Sequence, residues 1–122
     1  MIVKKLKEIE AFIAGDETKI REWLHPKNGD PDTPYSLAYA TLEPGKSSLP
    51  HHLEERSEVY IVLEGSGTAY VNGEAVRLSK KELLFIPPGA EQFVTNDGEV
   101  TLEILCIVTP PWDKDTEVVQ PT

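Results

Sequence analysis

The run Glu58-Val59-Tyr60-Ile61-Val62-Leu63-Glu64, with Gly65-Ser66-Gly67 and then Thr68-Ala69-Tyr70-Val71-Asn72-Gly73-Glu74-Ala75-Val76-Arg77-Leu78 behind it, decides the fold. On an extended chain, successive side chains point to opposite sides. Val59, Ile61 and Leu63 therefore share one face, and Glu58, Tyr60 and Val62 share the other. Gly65-Ser66-Gly67 bends the chain. Asn72-Gly73 lies between two strand-like runs, and both residue types tolerate positive φ. A tight hairpin pairing Thr68–Val71 with Glu74–Leu78 is predicted.

The same grammar extends in both directions. Ten prolines and eight glycines punctuate the chain at short intervals. Between them lie short runs rich in Val, Ile, Leu, Tyr and Phe, the pattern of an all-β sandwich or barrel. Strands are predicted at Thr18–His25, Tyr35–Leu42, Leu83–Ile86, Gln92–Thr95 and Val100–Val108. Pro44-Gly45, Pro87-Pro88-Gly89, Asn96-Asp97-Gly98 and Pro110-Pro111 close them, and Pro26–Pro34 reads as a loop. Leu6, Ile9 and Phe12 fall near helical spacing and predict a short helix over Lys5–Phe12. The polar tail from Trp112 is expected to wrap the surface or lie loose.

The totals bound the function classes. At 122 residues, with 39% hydrophobic and 27% charged residues, the chain suits one soluble globular domain. The expected organisation is a single domain over 1–122, with a core at about 35–109, an N-terminal arm at 1–34 and a tail at 110–122. No apolar run is long enough to span a bilayer. The N-terminal Met1-Ile2-Val3-Lys4-Lys5-Leu6-Lys7 turns polar too soon for a secretory signal, so a cytoplasmic protein with no membrane partner is expected. A net charge of −9 repels phosphate backbones and argues against nucleic acid. Cys106 is the lone cysteine, which excludes an intrachain disulfide and a CxxC zinc site.

Two segments gather polar chemistry. One runs from Gly45 through Pro50-His51-His52-Leu53 to Glu58 and Gly65. The other is Ile86-Pro87-Pro88-Gly89-Ala90-Glu91-Gln92-Phe93-Val94-Thr95-Asn96. Together they supply imidazole, carboxylate and carboxamide.

These segments resemble the two motifs of the cupin superfamily, in order and separated by the Asn72-Gly73 hairpin. Gly45, His51, Glu58 and Gly65 match the first motif at its spacing, and Pro87, Gly89 and Asn96 match the second. The resemblance spans roughly Tyr35–Val108. It implies a double-stranded β-helix, or jelly roll, forming a cupin barrel with a short N-terminal helix or strand. It also implies a divalent metal ion (Zn, Fe, Mn or Ni) held by His51, Glu58 and Gln92. The chain departs from the pattern at three places: Leu53 and Gln92 stand where metallocupins carry His, and Lys81 stands for Gly. It is similar to small single-domain cupins with His-x-Leu and Gln at these positions, often described as similar to mannose-6-phosphate isomerase.

Each residue also has a plainer reading. His51 could hydrogen-bond only within a polar pocket. On a regular strand His52 points away from His51, so it is a weaker ligand candidate unless Pro50 reverses the strand. Glu58 could pair with Arg56 or Arg77, and Gln92 could satisfy buried backbone groups. Tyr60 and Cys106 are expected to line the pocket. Trp112 is expected to cover an edge or a dimer surface. A sugar-phosphate site would need cations, for which Arg56, Arg77, Lys80 and Lys81 are the sparse supply. The set points to a small-molecule-binding cupin with a divalent-metal site of altered ligand set. The alternatives are a metal-dependent isomerase or dioxygenase acting on a sugar or small organic acid, and a structural module with a vestigial pocket. The exposed strand edges of such a fold predict a homodimer.

Overall fold

The computed structural model describes residues 1–120. In chain order its strands are β1 (Phe12–Ile13), β2 (Lys19–Leu24), β3 (Ser36–Leu42), β4 (His51–Leu53) and β5 (Ser57–Glu64). They continue as β6 (Ser66–Val71), β7 (Glu74–Ser79), β8 (Leu83–Ile86), β9 (Gln92–Thr95), β10 (Leu102–Thr109) and β11 (Glu117–Val119). Two antiparallel sheets result, one ordered β1-β2-β3-β10-β5-β8 and the other β11-β4-β9-β6-β7. This is the expected all-β jelly roll.

The alternation read from Glu58–Glu64 holds. Glu58, Tyr60 and Val62 are buried between the sheets, and Val59 and Ile61 face outward at intermediate burial. On β10 the inward set is Leu102, Ile104, Cys106 and Val108. Tyr60, Val62, Leu102, Ile104 and Cys106 meet Ala69, Leu78 and Val94 of the second sheet in one apolar core. Burial of this kind stabilises by about 25 cal/mol per Å² of apolar surface.

The hairpin also forms as predicted. Val71 pairs with Glu74, and Asn72 and Gly73 hold φ of 49° and 81°. Gly65 is required for two reasons. Its φ is 82°, and a Cβ there would lie 2.7 Å from the Thr101 carbonyl oxygen.

The ends of the chain differ from expectation. The Lys5–Phe12 helix is not formed: a single 3-10 turn spans Leu6–Glu8, and Phe12 enters β1 opposite Ile20. Eight residues are too few to offset helix nucleation, whereas β2 offers a ready ladder. At the other end, residues 117–119 of the tail form β11 on β4, pairing Val118 with His52 and Val119 with His51. The last two residues of the expected tail lie outside the described residues. No helix is long and apolar enough to cross a membrane among the described residues.

Candidate functional site

A cavity of about 200 Å³ lies between the sheets. Strands β1 and β2 with their turn, β3, β4, β5, β9 and β10 line it, together with Trp112 and Glu117.

Glu58 reaches it from β5 because Ser57 and Val59 take the opposite side of the strand. Glu58 is only 8% exposed, and neither expected partner meets it. Arg56 Nε donates to the Pro111 carbonyl at 2.9 Å, and Arg77 pairs with Asp97 at 2.6 Å. Among the described residues no donor or cation lies within bonding distance of the Glu58 carboxyl. Burial, reinforced by repulsion from Asp16 and Glu117, pushes its pKa up to about 8.

His51 enters from β4 and is 3% exposed. Its Nδ1 lies 2.8 Å from the Leu49 carbonyl oxygen and 3.8 Å from Asp16 Oδ2. A carbonyl only accepts, so Nδ1 carries the hydrogen and Nε2 is the ring atom available to a ligand.

Gln92 stands opposite His51 in the β4–β9 ladder and is buried. Its Oε1 accepts a 2.6 Å hydrogen bond from the Tyr60 hydroxyl, and Gln92 is not among the cavity-lining residues. Tyr60 and Cys106 do line the cavity, as expected. Burial raises the pKa of both, with Glu58 adding to the effect, so Cys106 is a core thiol and not an activated nucleophile. His52 lies outside the cavity, with Nε2 3.8 Å from Glu54 Oε1.

Three cavity residues escape a reading of the two motifs. Asp16 sits in the β1–β2 turn, where its Oδ1 accepts from the Thr18 amide at 3.1 Å. Glu117 Oε2 accepts from Trp112 Nε1 at 2.8 Å. Trp112 therefore lines the cavity, a correction to the expected edge or dimer cover, because its hydrogen bond to β11 turns it toward the site. No periodic pattern marks any of the three. The Gly15-Asp16 turn signal is their one local trace.

The residues present do not fit a resident divalent metal. Leu53, 2% exposed, puts an apolar chain where a metallocupin has its second imidazole. The Gln92 carbonyl oxygen is already engaged by Tyr60. Among the described residues no group of three or more His, Cys, Asp or Glu side chains is placed to hold a metal ion.

The family model described as a cupin domain matches residues 38–108. An uncharacterized protein of Methanocaldococcus jannaschii is 35% identical over 114 residues, covering 93% of this chain and 90% of that protein. Mannose-1-phosphate guanylyltransferase of Klebsiella pneumoniae is 30% identical over 86 residues, but the match covers 70% of this chain and only 18% of that enzyme. Among solved structures, a predicted oxalate decarboxylase of Thermotoga maritima superposes with a TM-score of 0.79 at 23% identity, covering 89% of this chain and 99% of that one. That likeness establishes the fold alone.

Proposed function

This chain belongs to the cupin domain family, and from that premise we propose that it captures a small molecule between its two sheets. The observation that carries this reading is Glu58: a carboxyl 8% exposed, lining a cavity of about 200 Å³, with no protein partner among the described residues. The Glu58 carboxyl opens onto the cavity, where a ligand that hydrogen-bonds to it replaces the solvation it lost on burial. His51, which lines the cavity from the opposite sheet, supplies a second polar group through its Nε2.

A broad thermal-shift screen tests the reading, because a ligand that binds only the folded chain raises its melting temperature. At least one class of sugar, acid, amine or metal is expected to do so, and to lose the effect in the His51→Ala, Glu58→Ala double variant. A screen in which no class moves the transition would sink the proposal. The same samples decide the metal question. Elemental analysis after reconstitution is expected to give less than stoichiometric Fe, Mn, Ni or Zn, since the donor set is incomplete.

The pKa of about 8 at Glu58 favours a second reading, in which bound ligand undergoes proton transfer. At neutral pH Glu58 is a proton donor, and His51 brings an imidazole to the same cavity from the opposite sheet. Solvent-deuterium incorporation into a ligand found by the screen, lost in Glu58→Gln, is the expected mark of this activity.

A further inference from the structure

We propose that the ligand of this cavity is a small organic cation, a primary amine carried on an apolar body. The proposal rests on the reading that the cavity captures a small molecule, and it narrows that reading to one chemical class.

The charges point one way. Asp16, Glu22, Glu58 and Glu117 line the cavity, and no Lys or Arg does. Glu22 is turned toward Asn28, whose Nδ2 donates to it at 2.7 Å, which leaves Asp16, Glu58 and Glu117 as the inner set. The four cations that could have served a phosphate are not on the cavity wall. Arg77 is held by Asp97, Lys80 by Glu64, and Arg56 by the Pro111 carbonyl. An anion entering here meets like charge in a poorly screened space, where such repulsion is several times its value in water. A cation replaces the mutual repulsion of Asp16, Glu58 and Glu117 with attraction. Glu58 is the second, independent pointer, since it is more than nine-tenths buried and unpartnered among the described residues.

Geometry separates an ammonium from a metal. A metal ion needs several oxygen donors at about 2.0–2.6 Å around one point. The described residues do not converge in that way. An ammonium donates three hydrogen bonds at about 2.8 Å in divergent directions, so it bridges separate carboxylates. The remaining wall suits the body of such a ligand. Ala38, Ala40, Val94 and Ile104 are apolar, and Trp112 and Tyr60 add aromatic surface. An apolar cavity of about 150 Å³ holds benzene in another protein, so about 200 Å³ accommodates one ring with a short arm.

The test is calorimetric titration of the full-length protein with phenethylamine, 2-phenylethanol and phenylacetate, which share a ring and differ in charge. EDTA is present, and the pH is 8.5, where Glu58 ionises without help from a ligand. Phenethylamine is expected to bind at least tenfold more tightly than the other two. Glu58→Gln is expected to weaken it tenfold or more, and Glu117→Gln, at a less buried position, serves as a second variant should the first fail to fold. Equal or tighter binding of phenylacetate or 2-phenylethanol would overturn the amine assignment while leaving small-molecule capture intact. No binding by any of the three at millimolar concentration also overturns the assignment, and capture then stands or falls on the broad screen. Mn²⁺ titrated alone without EDTA, if it binds in a Glu58-dependent way and displaces phenethylamine, overturns the proposal in favour of a metal.

Discussion

At the scale of single residues, Glu58 carries the most consequence. Its pKa is 4.5 in the reference state and about 8 in the fold. Between those values the folded chain keeps a proton that the unfolded chain has released. The associated stability is fully present below pH 4.5 and is lost as the pH rises through 8. Glu58→Gln keeps the shape and removes the titration. It is expected to match the parent at pH 5 and to exceed it by about 2–4 kcal/mol at pH 9. Denaturant unfolding at both values checks this, and parallel pH profiles for the two proteins would refute it. The inward position of Glu58 was legible from strand alternation, and that of His51 from its motif spacing. The engagement of Gln92 was not, because the Tyr60 hydroxyl that meets it comes from the opposite sheet.

At the scale of elements, the least legible strand is β4, three residues long, which holds His51 in place. It lies between β9 and β11. Its contact with β11 is framed by hydrogen bonds from Glu54 N to Thr116 O and from Gln120 N to Pro50 O, both 2.8 Å. Val118 sits opposite His52 midway between them. Val118→Pro removes a ladder donor there. Amide exchange at His52 and Leu53 is expected to accelerate about tenfold, an opening free energy lower by about 1.4 kcal/mol, while β6 and β7 stay protected. Unchanged exchange in β4 would mean that β11 contributes nothing to holding the site. The hairpin was legible and β11 was not, for a physical reason. Asn72-Gly73 encodes its own turn, whereas Glu117–Val119 becomes a strand only because an edge is waiting for it.

At the scale of the whole molecule, the outer face of the six-stranded sheet is apolar in two rows. Phe85, Val59, Ile107 and Leu37 stand in register across β8, β5, β10 and β3, and so do Leu83, Ile61, Leu105 and Tyr39. Leu83 and Phe85 lie on the edge strand and are 59% and 56% exposed. This is the surface on which the homodimer expected from the exposed edges would form. Sedimentation velocity at micromolar concentration is expected to give a dimer, and Phe85→Glu a monomer with an unchanged melting profile. A monomeric parent protein would remove the expectation. The sequence by itself determined the all-β class, the positions of most strands, the Asn72-Gly73 turn and the inward face of β5. These follow from φ/ψ preferences and a period of two, which are properties of neighbouring residues. Only the tertiary structure decided what shares the cavity with Glu58. Asp16 comes from an N-terminal turn, Glu117 and Trp112 come from the tail, and Gln92 turns away to Tyr60. Those juxtapositions depend on which sheet edges meet and on how buried polar groups find partners, and no local pattern in the chain records either.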